Sequence, residues 1–216
     1  MRRWLREETL SRSPRRPLIL STDEQRGDPR SSRHRDACAE PARGRSVHPA
    51  KDLAMPLKLD GSCRCGAIRF TADSHAPVPF MRCYCSICRK TAGGGGYAVN
   101  LHADKRTLEV EGRTAIFHAE LDDGRGGCRV STGERHFCPA CASALWVFSP
   151  EYPELFHPFA SAIDSELPKA PSLVHMMLSS KASWVEPEIG PHDQCFEEYP
   201  EDALEDWHRA HGLWID

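Results

Sequence analysis

Cysteine spacing is the feature that most constrains how this chain can fold. Ten cysteines occur among its 216 residues, and seven of them fall into three short clusters. The clusters read Cys63-Arg64-Cys65, Cys83-Tyr84-Cys85-Ser86-Ile87-Cys88 and Cys138-Pro139-Ala140-Cys141. Thiolates at such short spacings are typical ligands of zinc. The pattern therefore predicts a zinc-binding protein.

The first and third clusters together supply four thiolates. If the first cluster starts a strand, Cys63 and Cys65 point to the same face, because side chains alternate along a strand. A C-x-x-C turn lets Cys138 and Cys141 converge on one ion. Four thiolates form the closed tetrahedral set of a structural zinc site. We expect this site to link the start of the domain to a distant hairpin.

The middle cluster offers three thiolates, those of Cys83, Cys85 and Cys88. Three protein ligands leave the fourth zinc position open for water or substrate, as in catalytic zinc sites. Coordination drives off a thiol proton, so an incoming thiol would bind as its thiolate. The spacing therefore predicts a second, catalytic zinc ion at these three cysteines.

The main alternative for the clustered cysteines is a disulfide framework. Seven is an odd number and no secretion signal is recognisable, so reduced thiols in the cytoplasm are predicted instead. Cys38, Cys128 and Cys195 stand alone and are interpreted as free thiols. His136 lies beside Cys138 but is interpreted as a surface strand residue, because four cysteines already complete that site.

Charge is distributed unevenly along the chain. Residues 1–54 carry 13 Lys and Arg against 8 Asp and Glu, whereas the remainder carries 15 against 23. The leader 1–54 has few apolar positions and no periodicity, which predicts disorder and leaves open that the natural chain starts at Met55. The acidic remainder argues against nucleic-acid binding, which depends on phosphate neutralisation. No apolar run is long enough to span a bilayer, so no membrane contact is predicted.

From Met55 onwards, short β-rich runs alternate with turn signals. We predict one β-rich domain over residues 55–190 and a C-terminal tail over 191–216 that is helical near 201–211 and docked on the domain. The tail is the only segment predicted to be helical, and Glu111-Gly112-Arg113 is predicted to form a hairpin turn. The predicted strands are Ala67–Ala72, Tyr97–Leu101, Thr107–Val110, Thr114–Ala119, Leu145–Phe148, Phe156–Ala160 and Leu173–Met177.

Three motifs carry a resemblance to a known family. GSCRCGAIRF at 61–70, RCYCSICRKTAGG at 82–94 and ERHFCPACASALW at 134–146 resemble the glutathione-dependent formaldehyde-activating enzymes, a family that includes the centromere-protein-V-type domains. Weaker agreement continues through FASAIDSELP at 159–168 and the region of His175, Lys181 and Trp184. The family usually has Gly directly after the last cysteine, where this chain has Ala142. If that position needs a positive φ, the alanine costs about 1 kcal/mol.

The resemblance implies a β-tent-like fold of small antiparallel sheets, with one structural and one catalytic zinc ion at the two cysteine sets given above. It also implies a carbon–sulfur lyase type of enzyme that joins glutathione and formaldehyde into S-hydroxymethylglutathione. Glutathione would be the small thiol partner, and the sequence leaves the oligomeric state undetermined. The alternative is a non-enzymatic zinc module that binds a protein partner. An open fourth position at the three-cysteine site would separate the two hypotheses.

Overall fold

The computed structural model describes residues 55–122 and 126–216. The leader predicted over 1–54, together with Cys38, lies outside the described residues. Within the described ranges short strands predominate, and the two α-helices are only six and seven residues long. The prediction of a mainly β chain with a short C-terminal helix is confirmed.

Two of the three sheets in the described part are antiparallel. The first contains β1 (Leu57–Ser62), β2 (Arg69–Ser74) and β6 (Glu109–Glu111), in that order. The second contains β5 (Ala103–Asp104), β10 (Leu155–Pro158), β9 (Ala144–Phe148), β8 (Cys128–Phe137) and β7 (Ala115–Asp122), in that order. The long β7–β8 and β8–β9 pairings therefore bring the third cysteine motif to the end of a hairpin.

The third sheet is mixed rather than antiparallel. It contains β12 (Gln194–Cys195), β11 (Val174–Met176), β3 (Met81–Cys83) and β4 (Ala98–Val99), in that order. β11 runs parallel to both β3 and β12, and β4 runs antiparallel to β3. Parallel neighbours need a long crossover connection, and the chain between β3 and β11 winds through the second sheet before it returns.

Two helices flank this sheet. The helix α1 (Ser86–Thr91) follows β3 directly, and α2 (Leu204–Ala210) lies near the end of the chain. The prediction of a helical tail is confirmed, but the prediction that only the tail is helical is wrong. The N-cap of α1 is Cys85, whose Sγ accepts a bond from the backbone N–H of Cys88. The usual Ser, Thr, Asp or Asn signal is therefore missing. No helix in the described ranges has the length and apolarity to cross a membrane.

The predicted hairpin at Glu111-Gly112-Arg113 is wrong. β6 pairs with β2, and β7 pairs with β8, so this turn carries the chain from one sheet into another. Gly112 has φ of +92°, and a Cβ there would meet the carbonyl oxygen of Ala67. The glycine is therefore needed for the turn and for its close packing, although the strands on either side of it are not partners.

The described residues contain two hydrophobic clusters, and each borders one set of cysteines. The first packs Phe70 edge-on against Trp146, with ring centroids 5.1 Å apart. The second stacks Phe80 on Trp207 of α2 at 3.7 Å, so the tail helix belongs to the core. Cys63 and Cys138 are buried in the first cluster, whereas Cys83 and Cys88 are buried in the second.

Candidate metal centres

The first and third cysteine motifs meet in one four-thiol cluster. The Sγ atoms of Cys63, Cys65, Cys138 and Cys141 all lie within 4.8 Å of one another. Cys63 and Cys65 are 3.5 Å apart, and Cys65 and Cys138 are 3.8 Å apart. A tetrahedral zinc ion with Zn–S bonds of about 2.3 Å separates its sulfurs by roughly 3.8 Å. The thiol set therefore fits zinc.

Two turns, rather than strand alternation, bring these thiols together. β1 ends at Ser62, so the expectation that Cys63 and Cys65 share a strand face is wrong. The chain instead turns back through Gly66, which has φ of +77°, and the backbone N–H of Ile68 donates to Cys63 Sγ at 3.2 Å. This turn brings the two sulfurs within 3.5 Å of each other at the end of the β1–β2 pair.

The second turn joins β8 to β9. The N–H of Ala142 donates to the carbonyl of Cys138 at 2.8 Å, and the N–H of Cys138 donates to the carbonyl of Ser143 at 2.9 Å. Ala142 has φ of 60°, the left-handed conformation that favours glycine. The position after the last cysteine therefore needs a positive φ, and here an alanine fills it.

The middle motif forms a separate three-thiol cluster. Cys83 ends β3, Cys85 caps α1 and Cys88 lies in the first turn of that helix. Their Sγ atoms lie within 4.8 Å of one another, and the cluster is largely buried. Because β3 ends at Cys83 and α1 begins immediately after it, the three sulfurs of this short segment converge. These residues could hold a metal ion through three ligands.

Hydrogen bonds within the three-thiol cluster shift the pKa values of its members in opposite directions. Hydrogen bonds from the Cys83 and Cys88 thiols lower the pKa of Cys85, and the matching bond to Cys85 raises the pKa of Cys83. The guanidinium of Arg135 on β8 lies 3.8 Å from Cys88 Sγ through both terminal nitrogens. The site thus combines sulfur ligands with one cation, which offsets part of the negative charge that three thiolates carry.

A buried series of hydrogen bonds holds the segment that carries the three-thiol cluster in place. Tyr84, between the first two cysteines of the motif, bonds through its hydroxyl to His175 Nδ1 at 2.9 Å. His175 Nε2 lies 3.2 Å from Asp193 Oδ2. The carboxylate of Asp193 accepts from Nε2, which leaves Nδ1 to accept from the tyrosine. Tyr84 and His175 are fully buried, so this series of hydrogen bonds fixes the backbone that carries Cys83 and Cys85.

The remaining candidate residues lie outside both clusters. Cys128 and Cys195 are exposed and unpaired with any described cysteine, as predicted for free thiols. His136 lies on β8 as predicted, but it is half-buried and stacks on Trp146 with ring centroids 4.9 Å apart. Its nitrogens bond to Thr114 and Glu134, so its role is explained without a metal.

Comparison with known protein families identifies the part of the chain that carries the cysteine motifs. Residues 58–179 match the family model described as glutathione-dependent formaldehyde-activating enzyme, and this span contains both thiol clusters. The chain belongs to this family.

Two similar proteins cover different shares of this chain. A Halomonas elongata protein that carries the family's name is 58% identical over 159 residues, which are 73% of this chain and 98% of that protein. A Rhodobacter sphaeroides protein of known crystal structure aligns with a TM-score of 0.36 and 22% identity, covering 53% of this chain and 100% of that one. The resemblance inferred from the three cysteine motifs is confirmed by the family match.

Proposed function

We propose that this chain is a zinc-dependent enzyme of carbon–sulfur chemistry that joins glutathione to formaldehyde, or takes the adduct apart. The observation that carries this proposal is the three-thiol cluster. Among the residues that the structure describes, no fourth Cys, His, Asp or Glu side chain joins Cys83, Cys85 and Cys88 within the same distance. A zinc ion with three protein ligands keeps a position for substrate.

The chemistry needs little beyond a thiolate held in place. A zinc ion bound by Cys83, Cys85 and Cys88 would supply an open position at which a thiol loses its proton. The thiolate sulfur attacks the carbonyl carbon of the aldehyde, a C–S bond forms, and the π electron pair moves to the oxygen. That oxygen takes up a proton and becomes the hydroxyl of the adduct. The reverse sequence of bond changes is the lyase direction.

Arg135 is the residue of this chain best placed to assist. Its guanidinium faces Cys88 Sγ and is only half-buried, so part of it remains accessible to a ligand. Glutathione carries two carboxylates, and arginine binds carboxylates in a bidentate manner. We therefore assign Arg135 to orienting the anionic thiol substrate beside the three cysteines.

The four-thiol cluster is assigned a structural zinc ion, because a closed set of four ligands has no position for substrate. We further propose that residues 55–190 form the enzymatic domain and residues 191–216 its docked tail. The nine described cysteines are free, and a zinc enzyme with free thiolate ligands requires the reducing conditions of the cytoplasm.

Thiol titration of the cobalt-substituted protein tests the proposal. Glutathione should add to the charge-transfer absorption of the three-cysteine site, and one proton should be released per bound thiol, because coordination requires deprotonation. Cys85→Ser should abolish this response. The absorption of the four-cysteine site should not change. An absence of spectral change in wild type at millimolar glutathione would favour a non-enzymatic zinc module.

A further inference from the structure

A large cavity lies next to the three-thiol cluster. It is a solvent-open pocket of about 470 Å³ between the strands of the domain and the segment that leads into α2. Pockets of about 300–1,000 Å³ are typical of sites that take up whole organic ligands. Formaldehyde, with one carbon and one oxygen, would leave nearly all of this space empty.

Register places the cavity beside the sulfurs. Met81 and Met176 line the cavity. Met81 lies two residues before Cys83 on β3, and Met176 is paired directly with Cys83 across the β3–β11 ladder. Positions i and i+2 of a strand, and directly paired positions of neighbouring strands, share a face of the sheet. All three residues are buried in one hydrophobic cluster, so the cavity wall is continuous with the thiol site.

The cavity opens to solvent at its tail side. Tyr199 lines it there and is 68% exposed.

The lining selects against an anion. None of the described lining residues is Lys or Arg, and the acidic Asp202 and Glu205 stand at the tail side. Most of the surface is formed by apolar groups such as Leu155 and Leu204. Burying a carboxylate here would be costly without a cationic partner. The cavity is therefore unsuited to the charged parts of glutathione, which the proposed function assigns to Arg135.

Two polar atoms in the wall lack partners. Neither His102 Nδ1 nor Asn100 Oδ1 has a hydrogen-bond partner among the described residues, and both atoms are buried. His102 is only 6% exposed. Burial, together with the neighbouring His157 and His208, lowers its pKa to about 4, so the imidazole is neutral at neutral pH. Buried polar atoms of this kind are normally satisfied by protein, water or ligand. Both atoms have almost no accessible surface, so they offer no site to a ligand in the cavity.

From these observations we infer that the cavity receives the carbonyl-derived half of the thiol adduct, and that it accepts an uncharged apolar group bulkier than formaldehyde as well as formaldehyde itself. The inference rests on the proposed function of the three-thiol site. The larger aldehyde R–CHO would undergo the same addition, in which the C–S bond forms, the carbonyl oxygen gains the proton and R lies in the cavity.

Direct binding tests the cavity without turnover. The probe is benzyl alcohol, titrated calorimetrically into the zinc-loaded full chain, with benzoate as its anionic counterpart. We expect benzyl alcohol to bind and benzoate to bind at least about tenfold more weakly, because no cation lines the cavity. Equal binding of the two probes, or no binding of benzyl alcohol up to its solubility limit, would overturn the inference.

Two substitutions at one position locate the binding. Leu204→Trp fills the cavity from α2, whereas Leu204→Ala enlarges it, and the backbone carbonyl of Leu204 that contacts His208 Nδ1 at 2.7 Å is kept in both. Leu204→Trp should weaken benzyl alcohol binding at least about tenfold, and Leu204→Ala should leave it within about threefold. Equal affinities in wild type and Leu204→Trp, with thermal melts showing both folded, would place the ligand elsewhere.

Turnover separates this inference from the proposed function. With glutathione, Leu204→Trp should lower kcat/KM for benzaldehyde at least about tenfold more than it lowers kcat/KM for formaldehyde. An equal loss for both aldehydes would contradict the inference alone. Benzyl alcohol binding that obeys the variants, with no turnover of either aldehyde, would remove the enzymatic proposal and the adduct assignment while leaving a site for an uncharged ligand.

Discussion

The left-handed backbone conformation of Ala142 strains the turn that carries Cys138 and Cys141. Its φ of 60° lies where an L-residue with a Cβ is strained by about 1–2 kcal/mol. Ala142→Gly should therefore raise the free energy of unfolding by about 1 kcal/mol, less the entropy that glycine adds to the unfolded chain. Urea unfolding of the zinc-loaded protein measures this change.

Ala140→Gly is the matched control for that substitution. Ala140 lies in the same turn but is not among the described residues with positive φ. Replacing it should leave the stability unchanged or lower it, because glycine only adds freedom to the unfolded chain. Equal stabilisation by both glycines would contradict the account of strain at Ala142.

His102 should make stability depend on pH. Its pKa is lowered from 6.5 to about 4, chiefly by burial, so the unfolded chain binds a proton more readily than the folded one. Stability is therefore fully present above pH 6.5 and is lost as the pH falls towards 4, by about 2 kcal/mol at pH 5. His102→Gln should remove this part of the loss. Acid also weakens zinc binding in both proteins, so the difference between their urea midpoints is the quantity to follow.

The two cysteine sets lie on different structural elements, and we expect substitutions in them to affect folding differently. Cys138 lies in the turn that joins β8 to β9, where four thiols from distant segments meet, whereas Cys85 caps a six-residue helix. A structural zinc ion stabilises small domains by roughly 10–16 kcal/mol of apparent free energy. Cys138→Ser should therefore cripple folding, whereas Cys85→Ser should leave a folded protein with about one zinc ion fewer. Circular dichroism and metal analysis measure both, and equal effects would refute the division of roles.

Elements were predictable where their signal is local. The seven predicted strands overlap β2, β4, β6, β7, β9, β10 and β11. β3 was not predicted, because it has three residues, follows Pro77 and Pro79, and owes its place to β11 and β4 rather than to its own pattern. α1 was not predicted either, because a cysteine takes the place of the usual N-cap residue.

The same distinction applies to the candidate site. All seven clustered cysteines could be grouped from their spacing, since each motif is short. Arg135 could not be assigned to the middle cluster, because it is 47 residues from Cys88 in the chain. The link from Tyr84 to His175 spans 91 residues. The second contact depends on the pairing of β3 with β11, and the first depends on how β8 packs against α1, neither of which a sequence period reveals.

At the scale of the whole molecule, the leader should be dispensable. The family match begins at residue 58, and residues 1–54 contain few apolar side chains that could be buried. Deleting residues 1–54 should therefore leave the melting temperature and the zinc content unchanged. Thermal melts and metal analysis of the full and shortened chains test this, and a fall of several degrees in the shortened chain would contradict it.

The separation of the two thiol sets along the chain also governs the order in which they can load metal. Cys83, Cys85 and Cys88 lie within one short segment, so they can capture an ion while the rest of the chain is still unfolded. The four-thiol set must wait until the turn after β1 has met the turn after β8, a contact between residues 65 and 138. Such long-range contacts form slowly, because loop closure must be achieved first. A newly made chain in zinc-poor surroundings would therefore fill the three-thiol cluster before the four-thiol cluster.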